Sequence, residues 1–165
     1  MKIVQQELFT KLEVDVTDIK KYYYEYEEFL EDTKKLIPSI KEYNPDTILA
    51  VARGGVTLGH FIASGLDNRR LFTVNSIHYD ETKRLDSFDI FNIPDLKSAS
   101  KVIIVDDIVD SGETMSEILK LLKGLYPSVE FKIATLFFKP TSIVEADFKV
   151  KEADCWIEFF WEVDI

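Results

Sequence analysis

Two hydrophobic periods take turns along this chain. From 26 to 43 the face positions Phe29, Leu30, Thr33, Ile37 and Ile40 fall three or four residues apart, which predicts one amphipathic helix, and Asn44-Pro45 ends it. Residues 47–52 then form a continuous apolar run, the pattern of a strand buried on both faces. Gly54-Gly55 turns that run into a helical pattern over 56–66, and a strand over 71–77 follows. The cycle repeats with Val102-Ile103-Ile104-Val105, a helix over 113–125 closed by Tyr126-Pro127, and strands over 129–139 and 147–150. Strands alternating with helices predict an α/β fold with a parallel sheet. Short strands are also predicted at 12–16 and 22–24. Residues 78–100 are polar, hold Pro94 and keep no period, so they predict a long loop of the kind that serves as a lid.

Composition narrows the class. At 165 residues, with 46% hydrophobic and 30% charged residues, the chain suits one globular domain over 1–165, with 1–24 as an N-terminal extension or hood strands. The lone Cys155 has no partner for an internal disulfide, and neither a signal peptide nor a membrane-spanning run is evident, so a reducing cytoplasm is expected. A net charge of -10 argues against a nucleic-acid surface. Any anionic ligand must then find local cations, and Arg53, Lys83, Arg84, Lys101 and Lys139 are the ones near candidate loops.

The densest chemistry lies in residues 102–114. A buried strand leads into Asp106, Asp107 and Asp110, then into Ser111-Gly112-Glu113-Thr114, which opens a helix. Ligands of parallel sheets bind beyond the carboxyl ends of the strands, and the unpaired amides of a helix start accept phosphate. Adjacent carboxylates suit ribose hydroxyls or a magnesium ion. An ordinary N-cap explains Ser111 equally well, so these residues alone leave both readings open. Arg53-Gly54-Gly55, after the first buried strand, adds a forked donor and a backbone free to approach an oxyanion.

Residues 102–114 as a whole resemble the phosphoribosylpyrophosphate (PRPP) signature of the type I phosphoribosyltransferases: hydrophobic strand, two acids, two apolar residues, Asp, then a small-residue turn. The base-binding end is similar too. Phe137-Phe138-Lys139-Pro140 and Trp156-Ile157-Glu158-Phe159-Phe160-Trp161-Glu162 look like those of the xanthine-guanine and hypoxanthine-guanine members. The similarity runs over 48–162. It implies a central, mostly parallel sheet flanked by helices, with a small hood built from the terminal segments.

The resemblance also implies roles. Arg53 and Gly54 take the pyrophosphate, as does Lys83 or Arg84 from the lid, and Asp106, Asp107, Ile108, Val109, Asp110, Ser111, Gly112, Glu113 and Thr114 hold the phosphorylated ribose. Asp107 is the choice for magnesium, with Asp106 near the ribose, and the two are interchangeable. Asp110, Lys139, Trp156 and Ile157 bind the purine, and Asp110 serves as the base. The implied activity is PRPP-dependent ribosylation of guanine, xanthine or hypoxanthine in purine salvage by a homodimer or homotetramer. Its partners are small molecules, with no nucleic acid and no membrane span.

Two departures matter. Glu113 stands where relatives carry Gly or Lys, which favours an alternative: a non-catalytic PRPP or nucleotide sensor on the same fold. Phe160 replaces a proline. Asp-bearing phosphatases and receiver domains would leave Lys139 and Trp156 unexplained, and an adenine-specific enzyme fits Lys139 poorly. Trp161, His60 and His78 are read as structural.

Overall fold

The structure is a computed structural model, and it describes residues 20–79 and 87–163. In chain order the elements are β1 (Lys21–Tyr24), α1 (Tyr26–Tyr43), β2 (Thr47–Ala52), α2 (Gly55–Gly65), β3 (Leu71–Tyr79), β4 (Ser87–Phe91), β5 (Lys101–Val109), α3 (Glu113–Leu125), β6 (Glu130–Phe138), β7 (Phe148–Glu152) and β8 (Trp156–Phe159). Six strands form one sheet in the order β4-β3-β2-β5-β6-β7, and only the β3–β4 pair is antiparallel. The chain winds outward from β2 to β3 on one side and from β5 to β6 on the other. The winding therefore reverses between β2 and β5, where a doubly wound sheet opens a crevice.

Period-two alternation along the central strands divides the core into two layers. Ile48, Ile103, Val105, Ala134 and Leu136 meet Phe29, Leu36 and Ile40 of α1 and Leu58 and Ile62 of α2. Leu49, Val74, Val102, Ile104 and Ile133 face Met115, Ile118 and Leu122 of α3. Each fully buried Ile or Leu contributes about 1.5 to 3 kcal/mol. The left-handed Asn44, φ 55°, stops α1 by donating its N–H to the Ile40 carbonyl at 3.0 Å.

The terminal segments form the hood. β1 and β8 pair in parallel, Tyr22 opposite Ile157 and Tyr24 opposite Phe159. Tyr24 lies edge-on to Phe137 at 4.9 Å and to Phe159 at 5.9 Å, and its hydroxyl donates to Asp32 Oδ2 at 2.9 Å. Lys151 of β7 reaches the same carboxylate at 2.8 Å and also Glu28. One polar knot around the buried Asp32 and Tyr24 thus joins hood, helix and sheet.

Three expectations need correction. Residues 87–91 are a strand rather than loop, paired antiparallel with β3 at the sheet edge. Asp106 and Asp107 do not follow β5 but lie inside it, since pairing with β6 continues to Val109 opposite Phe138, while Asp110 comes directly after the strand. Lys101 begins β5 and gives its Nζ to the Tyr43 carbonyl at 3.2 Å, so it stands at the sheet end opposite the acids. The expected strand over 12–16 lies outside the described residues.

Candidate active site

Adjacent parallel strands bring the β2–α2 turn beside the end of β5. A Cβ on Gly54 would stand 2.6 Å from Asp107 Oδ1, and one on Gly55 would stand 2.9 Å from the Asp106 Cα. Both separations are below any real contact, so the turn seats against the acids only because glycine is there. Arg53 is exposed at this turn, and its peptide with Ala52 is cis.

The acids are held by their own strand. Asp106 Oδ1 accepts the Asp107 N–H at 3.0 Å, and Asp107 Oδ1 accepts the Ile108 N–H at 2.8 Å. Burial, then the neighbouring Asp107 charge, pushes the Asp106 carboxyl well above the usual range. Burial likewise lifts Asp107 to about 6, against the pull of the Ile108 amide, and the Glu162 charge adds to the rise. Among the described residues no group of three or more His, Cys, Asp or Glu is arranged to hold a metal.

Ser111 and Gly112 turn the chain from β5 into α3. Gly112 is the helix cap at φ 83°, a conformation that suits glycine, and it offers no side-chain cap for the first-turn amides. Glu113 is exposed in that first turn, its N–H facing Ser111 Oγ at 3.3 Å. An acid there complements the helix dipole.

At the neighbouring end of β6, the Lys139 N–H donates to the Val109 carbonyl at 3.0 Å. Its Nζ lies 2.7 Å from Asp110 Oδ1. The Ala153 N–H donates to the Phe138 carbonyl at 2.9 Å, which draws the segment before β8 toward this corner. Trp156 is 59% exposed, whereas the Ile157 side chain is buried in the core. Trp161 stacks on Phe159 at 4.7 Å and meets Phe29 edge-on, the structural role expected of it. Lys83 and Arg84 lie outside the described residues.

The sequence reading passed over residues 142–144. The Ile143 N–H donates to the Ser111 carbonyl at 2.9 Å, and a Cβ on Gly112 would meet the Val144 nitrogen at 2.9 Å. Only the Lys-Pro dipeptide just before this loop was a signal.

An antiparallel edge on a parallel sheet, a hood of terminal strands and an acidic strand end beside a glycine turn together make the type I phosphoribosyltransferase fold. The chain belongs to the phosphoribosyl transferase domain family, whose model matches residues 7–165 and so extends beyond the 48–162 read from motifs. It is 27% identical over 158 residues to the xanthine-guanine phosphoribosyltransferase of Ruegeria sp. (strain TM1040), covering 87% of this chain and 86% of that one. The solved xanthine-guanine-hypoxanthine phosphoribosyltransferase of Helicobacter pylori superposes with a TM-score of 0.82 at 38% identity, over 87% of this chain and 95% of that one. A purine phosphoribosyltransferase from Pyrococcus horikoshii Ot3 gives 0.78 at 31% identity, over 88% and 96%.

Proposed function

We propose that this chain transfers the 5-phosphoribosyl group of PRPP to N9 of a 6-oxopurine, giving a nucleoside monophosphate and pyrophosphate in purine salvage in the cytoplasm. The observation that carries the reading is the Lys139–Asp110 pair, 2.7 Å apart. A donor beside an acceptor matches O6 and N7 of a 6-oxopurine and would face the adenine amino group badly. Exposed Trp156 offers a face for stacking, and Ile157, with its side chain buried, serves through its backbone.

The first-turn amides of α3, with Ser111 and Thr114, take the 5-phosphate, while Arg53 and the Gly54 backbone take the pyrophosphate. As the N9–C1′ bond forms and the bond to pyrophosphate breaks, Asp110 accepts the proton of N7. Arg53 meets the growing negative charge on the leaving group. Lys83 or Arg84 adds to it from the segment between β3 and β4.

Asp106 and Asp107 fit a site beside a hard divalent cation, because burial penalises their charged forms and a nearby positive charge would offset that penalty. Asp107 is assigned to it and Asp106 to the ribose, with remaining ligands from PRPP and water. Magnesium, when bound, neutralises the departing pyrophosphate. The test is pyrophosphate release from PRPP and magnesium with guanine, xanthine, hypoxanthine or adenine. Release with the three oxo bases and not adenine is expected, and release with adenine alone would overturn the base assignment.

A further inference from the structure

We propose that the loop over 139–144 is a strap that couples the phosphate turn to the purine lysine, with Ser142 as its positioning residue. The proposal rests on the ligand assignments just made and goes beyond them. Each end of the strap is tied. At one end the Lys139 N–H is held by the Val109 carbonyl at 3.0 Å, while the Lys139 carbonyl accepts the Ser142 N–H at 3.0 Å. At the other, the Ile143 N–H is given to the Ser111 carbonyl at 2.9 Å. Between them the Ser142 hydroxyl donates to the Val144 carbonyl at 2.8 Å and accepts the Val144 N–H at 3.2 Å, closing the loop on itself.

Gly112 makes the approach possible. A Cβ there would overlap the Ser142 hydroxyl and come within 2.9 Å of the Val144 nitrogen. The glycine that gives the turn its positive φ is thus also the surface on which the strap rests. A phosphate that orders residues 111–114 therefore restrains Lys139 through a few backbone bonds, so the cost of fixing the lysine is met before the base arrives. Linkage requires the converse: a bound base must tighten the sugar phosphate by the same factor.

Calorimetry tests this on the full chain, with guanine titrated alone and in the presence of saturating ribose 5-phosphate, which cannot react. In the parent, ribose 5-phosphate is expected to tighten guanine by about fivefold or more, the lower range of ordinary coupling. Ser142→Ala should bring that factor to about one with each single-ligand affinity kept within about twofold, and Ser142→Thr, which retains the hydroxyl, should restore it. Ile143→Pro deletes the amide given to Ser111 and is expected to give the same loss by a second route, so a poorly folding Ser142→Ala leaves the test intact. A merely structural Ser142 would lower the melting temperature and both affinities while the factor stayed.

A factor preserved in both variants, or absent from the parent, overturns the strap. If the parent binds both ligands and turns over without coupling, only the strap falls. If it binds neither, the transferase reading fails and takes the strap with it.

Discussion

Lys139 Nζ and Asp110 Oδ1 stand 2.7 Å apart across the adjoining ends of β6 and β5. Their side chains are 37% and 59% exposed, so the pair itself adds under about 1 kcal/mol to stability. Its value lies in what it presents to a ligand. Lys139→Ala should raise the KM for guanine by the loss of a charge-assisted bond, about 1.5 to 3 kcal/mol, with the affinity for PRPP in the absence of base and the melting temperature nearly unchanged. Steady-state kinetics with guanine varied decides it, and an unaltered guanine KM would make Lys139 a surface residue.

Asp110→Asn keeps the shape and removes the proton acceptor. Turnover should fall by roughly a hundredfold to ten-thousandfold while PRPP still binds. Unchanged turnover in a rapid-quench assay would take Asp110 out of the mechanism.

Gly54→Ala tests the seat of the pyrophosphate turn. Its new Cβ would stand 2.6 Å from Asp107 Oδ1, an overlap relieved only by moving the carboxylate or the turn. Overpacking of this kind costs about 1 to 3 kcal/mol of folding stability, and the displaced carboxylate or turn is expected to raise the KM for PRPP with guanine KM little changed. Equal effects on both substrates would point to a general distortion instead.

Asp32 supplies a stability test away from the site. Burial pushes its carboxyl upward, but hydrogen bonds from Lys151, Lys35 and Tyr24 outweigh that and hold it below its ordinary 3.8. A lowered folded-state pKa means stability that is complete above the unfolded value and disappears as pH falls through the folded one. Asp32→Asn should therefore cost about 1 to 3 kcal/mol near neutral pH, the range for buried polar groups left underpaired, because Lys35 and Lys151 stay partly in solvent and Lys151 keeps Glu28. Denaturant unfolding should show the gap between variant and parent narrowing from about pH 5 toward pH 3. A constant gap would mean that the carboxylate's charge contributes nothing.

What could be read in the sequence is what repeats or punctuates. α1 and α3 carry full helical stripes with clear stops at Asn44-Pro45 and Tyr126-Pro127, so their ends were legible to the residue. β4 was hidden because an edge strand of alternating Ser87, Phe88, Asp89, Ile90 and Phe91 sits in polar sequence and gains its identity only from pairing with β3. β8 is too short to show a period, and β1 supplies its register from the far end of the chain. Asp32 breaks the apolar stripe of α1 in sequence, yet it is buried because Lys151 and Tyr24 come to meet it. The acids, Gly54, the Ser111 turn and Lys139 were legible as motifs. Ser142 was not, since a lone serine after Lys-Pro has meaning only once Gly112 lies beneath it.

The most direct measurement is identification of the product formed when the purified chain meets PRPP, guanine and magnesium. Chromatography with mass detection should find guanosine 5′-monophosphate and pyrophosphate in equal amounts, with the corresponding nucleotides from xanthine and hypoxanthine. PRPP that binds by calorimetry but yields no nucleotide with any of the three bases would contradict the transferase account and make the chain a sensor.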